Sequence, residues 1–110
     1  MNVQIHAVHF SADKKLLNLV ENKIEKFNQY HDKITKVDVY LKLDNTVHTI
    51  KDKVVEIKVK IPGDMLFKKV STKSFEESLD EATSAMVNIL KSKNKKSFTM
   101  KRRQQKKAAA

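Results

Sequence analysis

Four histidines, His6, His9, His31 and His48, are the side chains in this sequence best suited to hold a metal or shuttle a proton. Their spacing argues against both roles. His6 and His9 stand at an odd separation, so on one strand they point to opposite faces. His31 and His48 fall in predicted connections, and no H-E-x-x-H pattern sets two of them on one helix face. Asp13, Asp44, Asp52 and Asp64 stand at predicted element ends, where capping and turn roles account for them. The chain has no cysteine and one glycine, which removes thiolate nucleophiles, zinc ribbons, disulfide scaffolds and glycine-rich phosphate loops. This residue set predicts no catalysis, no metal, no cofactor and no small-molecule substrate.

The basic residues carry the stronger signal. Residues 1–90 hold 14 lysines against 13 acids, whereas residues 91–110 hold nine Lys or Arg and no acid, so a formal net charge of +10 sits almost wholly at one end. A solvated tail that only aids solubility is the plain reading. A long acid-free run fits an anionic polymer better, because each cation that meets a phosphate releases condensed counterions. Lys91, Lys93, Lys95, Lys96, Lys101, Arg102, Arg103, Lys106 and Lys107 are the candidates. A second hint lies upstream, where helical spacing puts Lys15, Lys23 and Lys26 on one flank of an apolar stripe and Glu21 and Glu25 on the other. Tyr40 and Phe98 are aromatic side chains available for stacking on an unpaired base, although a lone aromatic more often packs against its neighbours.

These residues need elements to position them. Val3, Ile5 and Ala7 alternate with polar partners and predict a strand ending near His9. Ser11 is a candidate N-cap for a helix over 12–28, with Leu16, Leu17, Val20, Ile24 and Phe27 as its buried stripe. Alternation then predicts strands around Val37–Leu43 and Val55–Ile61, joined by a polar connection over 44–52. Pro62, Gly63 and Asp64 predict a tight hairpin into a strand over 65–72. Its register stays open, since Met65 and Phe67 favour one inward face and Leu66 and Val70 the other. Ser74 and Glu77 form a capping-box pattern opening a second helix to about Asn94, striped by Phe75, Leu79, Ala82, Met86, Ile89 and Leu90.

The order strand, helix, strand, strand, strand, helix predicts an α+β two-layer sandwich. Its four-stranded sheet would carry both helices on one face, with a right-handed crossover between parallel strands followed by an antiparallel meander. At 110 residues one domain is expected, over 1–96, followed by a basic flexible tail over 97–110. The first ten residues lack a basic leader and an apolar run, and no segment has the length to span a bilayer, so a cytoplasmic location without membrane contact is expected.

Several strings in this order resemble the ribosome hibernation-promoting factor and ribosome-associated inhibitor family, also catalogued as sigma-54 modulation proteins. The resemblance covers residues 1–96. Lys23-Ile24-Glu25-Lys26-Phe27-Asn28-Gln29-Tyr30-His31-Asp32-Lys33-Ile34 is similar to the family's first-helix exit. Val47-His48-Thr49 is similar to a string after the second strand. Ser74, Phe75, Glu76, Leu79 and Asp80 match the opening of its second helix.

The resemblance implies a fold similar to a double-stranded RNA-binding domain with an added first strand. It also implies a short-form, ribosome-associated translation inhibitor that occupies the decoding region of the small subunit and excludes mRNA and tRNA. By position, Lys23, Lys26 and Lys33 match basic sites around the first helix, and Lys91, Lys93, Lys95 and Lys96 a basic cluster ending the second; Lys101, Arg102 and Arg103 join them from the tail. The sequence departs from the family at Ala85 and Asn88, where relatives often carry basic residues. The implied partners are the small subunit and its rRNA, with the free protein a monomer. Two alternatives remain open here: a transcription modulator acting on a sigma factor, and a generic double-stranded RNA binder.

Overall fold

The computed structural model describes residues 1–8, 10–44 and 52–109, the side chains of residue 44 and of residues 94–109 excepted. Strand β1 (Asn2–Val8) leads to helix α1 (Lys14–Glu25), which tightens into a 3-10 turn, η1 (Lys26–Gln29). Strands β2 (Lys36–Asp44), β3 (Asp52–Ile61) and β4 (Asp64–Thr72) follow, and helix α2 runs from Phe75 to Ala109. The sheet order is β1-β2-β3-β4, with β1 parallel to β2 and the later pairs antiparallel. The α+β fold and its meander are thus as the periodicity predicts. Expectations concerning His9 and the Val47-His48-Thr49 string lie outside the described residues.

Alternation dictates which face is dry. Val37, Val39 and Leu41 of β2 and Val55, Ile57, Val59 and Ile61 of β3 are buried, and they meet Val20, Ile24 and Phe27 from the first helical segment. From α2 come Leu79, Ala82, Met86 and Leu90, at the three- and four-residue spacing that lines one helix face. Leu16 and Leu19, rather than Leu17, complete the α1 contribution as partly buried neighbours.

The hairpin fixes the register that the sequence leaves open. Ile61 pairs with Asp64, so only Pro62 and Gly63 form the loop, and Gly63 takes a φ of +79°. Proline before a positive-φ glycine is the residue order of a type II turn. From that anchor Leu66 falls opposite Val59 and turns inward, while Met65 and Phe67 are 55% and 49% exposed on the other face.

Two helix boundaries differ from expectation. The α1 cap is Asp13, whose carboxylate accepts from the Leu16 N–H at 2.8 Å, not Ser11. Asp13 stands directly before the first helical residue, so its oxygen reaches the third amide of the helix. The end of α2, expected near Asn94, is corrected to Ala109. No glycine or proline follows Gly63, and the helix formers Lys, Arg, Gln, Met and Ala make up most of that stretch. At the start of α2 the expected cap is present, with Ser74 Oγ accepting from the Glu77 N–H at 3.1 Å.

Candidate nucleic-acid interface

Both helices lie on one face of the sheet, and a groove of about 340 Å³ runs between α1–η1 and α2. Lys23, Lys26 and Tyr30 line one side, and Asp80, Ser84 and Asn88 line the other. The first wall follows from helical geometry. Ile24 and Phe27 are pinned in the core, which turns their neighbours Lys23 and Lys26 toward the rim. Tyr30 extends the wall just beyond η1, where the chain is closed by the Tyr30 and His31 amides donating to the Phe27 carbonyl.

The electrostatics of the groove are specific. Lys23 Nζ donates to Asp80 Oδ1 at 3.0 Å, tying the two helices together. Lys91 Nζ sits 5.1 Å from the Tyr30 ring centroid, a cation–π distance. Lys23 and Lys26 thus line the concavity, and Lys91 of α2 stands beside its Tyr30 wall. Such a site can accept phosphate oxygens through ammonium donors, with Tyr30, Ser84 and Asn88 offering further polar contacts to a sugar-phosphate backbone.

The other sequence-predicted residues distribute differently. Lys33 is exposed beyond η1, its backbone N–H donating to His31 Nδ1 at 3.1 Å. Lys93 turns to the hairpin and pairs with Asp64 at 2.9 Å. Lys95, Lys96, Lys101, Arg102 and Arg103 continue along α2 in the stretch whose side chains are outside the described residues. Lys15 lies at the opposite end of α1, in a hollow with Phe10, Phe75 and Glu76.

Sequence periodicity missed Tyr30 and Asp80 as groove partners, because their relation to the lysines exists only once α1 packs on α2. Asn88, noted as a departure from the resembling family, is on the groove wall itself and leaves that position uncharged. Among the described residues there is no group of three or more His, Cys, Asp or Glu arranged to hold a metal, and no helix is long and apolar enough to cross a membrane.

The family model described as sigma 54 modulation protein / S30EA ribosomal protein matches residues 3–97. The chain belongs to that family. The match spans the sheet, both walls of the groove and the first part of the basic stretch. Among solved structures, the S30EA-family fold seen here is similar to the N-terminal domain of Protein Y from Thermus thermophilus, with 20% identity and a TM-score of 0.71. That likeness covers 83% of this chain and 97% of the other. A ribosomal subunit interface protein from Coxiella burnetii is similar at 19% identity and a TM-score of 0.71, covering 86% of this chain and 98% of that one. At these identities the likeness establishes the fold. No curated protein matches the chain.

Proposed function

We propose that this S30EA-family protein binds the ribosome and holds it inactive by occupying the decoding region of the small subunit, where it competes sterically with mRNA and tRNA. The observation that carries the reading is the groove lined by Lys23 and Lys26, with Lys91 of the other helix beside its Tyr30 wall. The family membership and the ribosomal description of the Coxiella burnetii relative support it.

The action is by occupancy, without chemistry. Ammonium groups on a helix pair meet phosphate and sugar, which position a protein without reading base sequence. The domain over 1–96 supplies this shape, and residues 97–110 act as a basic extension that adds further charge. Such a protein works in the cytoplasm beside its ribosomes.

Co-sedimentation with isolated ribosomes over a salt series tests the proposal. With about six phosphates neutralised, affinity falls on the order of a thousandfold between about 50 and 200 mM salt. A protein that stays in the supernatant at low salt contradicts it. A modulator of a sigma factor would instead capture RNA polymerase without ribosomes. A generic binder would hold a plain RNA duplex as tightly as a ribosome.

A further inference from the structure

The face of the sheet turned away from the helices carries a second set of cations and aromatic rings. Strand register sorts it into cross-strand rows. In one row Asn2, Lys36, Lys60 and Met65 are neighbours; in the next stand Gln4, Asp38, Lys58 and Phe67; in the third, His6, Tyr40, Glu56 and Lys69.

The acids of these rows are already matched. Asp38 lies 3.1 Å from His6 Nε2 and 3.6 Å from Lys36 Nζ, and Glu56 lies 2.9 Å from Lys42 Nζ and 3.9 Å from Lys69 Nζ. Among the described residues Lys58 and Lys60 have no ion pair, so the corner around Met65 and Phe67 is left electropositive.

Of the rings on this face, Tyr40 is already covered and Phe67 is open. Tyr40 and His6 stack at 4.5 Å with 15° between their planes, and Lys58 Nζ sits 5.4 Å from the Tyr40 centroid. Phe67, 49% exposed, has no such partner among the described residues. It stands two strands and one row from Tyr40, roughly 12 Å by sheet spacing, so a base on Phe67 is clear of the His6–Tyr40 stack. An exposed ring beside unpaired lysines on a flat sheet suits nucleobases and phosphates better than an apolar protein patch. An apolar protein partner would bury Lys58 and Lys60 at a desolvation cost that RNA phosphates offset.

We propose that this open sheet face is a second RNA site, which takes unpaired nucleotides by stacking a base on Phe67, with Lys58 and Lys60 on the phosphates. The site is separate from the helix groove and does not rest on the decoding-region reading. It makes the domain a two-sided RNA binder, with a groove for structured backbone and a sheet for single strand.

The test is binding of a short oligouridylate to the full chain. Phe67→Trp installs the only tryptophan, so quenching of its emission reports a base on this face rather than on the basic carboxyl end. Saturable quenching is expected, together with a roughly tenfold affinity loss in Phe67→Ala. Lys23→Glu/Lys26→Glu protein should show the same quenching while losing ribosome binding, which separates the two sites. Oligouridylate that binds without quenching, or equally well to Phe67→Ala, overturns the proposal. So does a dimer of the free protein that Phe67→Ala dissolves with oligonucleotide affinity unchanged, since a second copy would then be what covers the face.

Discussion

Lys23 Nζ and Asp80 Oδ1 are 3.0 Å apart, joining α1 to α2 across the groove from positions 57 residues apart in the chain. Both side chains are open to solvent, at 30% and 68% relative exposure, so the pair contributes little to stability. Its larger effect is to place one negative charge on the wall that phosphates would approach. Asp80→Asn should change unfolding free energy by less than about 0.5 kcal/mol in urea titration. Ribosome affinity at low salt should rise about twofold to fivefold, as loss of a screened like charge predicts. Weaker binding would show instead that Asp80 orients Lys23 for its contact.

Lys23→Gln/Lys26→Gln removes two ammonium groups from the groove without touching Ile24 or Phe27 beneath them. The logarithmic dependence of affinity on salt should flatten by nearly two, at about 0.9 per lost phosphate contact. Circular dichroism and the urea midpoint should stay as in the parent. An unchanged salt slope, with binding lost only on removal of residues 97–110, would assign the affinity to the carboxyl-terminal extension.

Ser78 is fully buried at the start of α2, where its hydroxyl donates to the Lys53 carbonyl and lies 2.7 Å from the Thr72 hydroxyl. This polar contact ties the helix to β3 and β4. Ser78→Ala removes a hydroxyl from two half-buried partners, of which Thr72 keeps its bonds to Ser74, and should cost about 0.5–1.5 kcal/mol in denaturant unfolding. Thr83→Ala serves as contrast, because Thr83 bonds only carbonyls of its own helix, at 2.8 Å to Leu79 and 3.2 Å to Asp80. Its cost should be the smaller of the two.

Gly63 holds a φ of +79° with open space around its Cβ position. A side chain there meets no neighbour, so Gly63→Ala isolates the backbone cost of a left-handed residue, about 1–2 kcal/mol. Gly63→Asn should recover part of that loss in the same thermal or urea measurement. Equal stability of all three would mean that the hairpin relaxes to another turn.

The fold was legible where one face of an element is dry. Val37, Val39 and Leu41 against Lys36, Asp38 and Tyr40 state a strand and its inner face without ambiguity, and Leu79, Ala82, Met86 and Leu90 do the same for α2. β4 was not, since Met65, Leu66, Phe67 and Val70 put apolar residues on both faces. Only the two-residue loop at Pro62-Gly63 decides between them, and it does so by fixing the Ile61–Asp64 pair. Caps were partly legible: Ser74 sits where its hydroxyl reaches an amide, but Asp13 prevailed over Ser11 by standing next to the first helical turn. For the groove, helical periodicity selects Lys23 and Lys26, yet it cannot show Asp80 or Tyr30 beside them. Those relations arise from packing between helices, as does the Lys93–Asp64 pair that carries one basic residue to the hairpin instead.

The proposed seat of this groove is the decoding region of the small ribosomal subunit. Chemical footprinting of small-subunit rRNA, with parent protein and with Lys23→Glu/Lys26→Glu protein, tests it most directly. Protection of decoding-region nucleotides by the parent is expected, with competition from bound tRNA and loss of that protection in the charge-reversed variant while the variant remains folded. Protection confined to another part of the ribosome, or an identical footprint from both proteins, would contradict it.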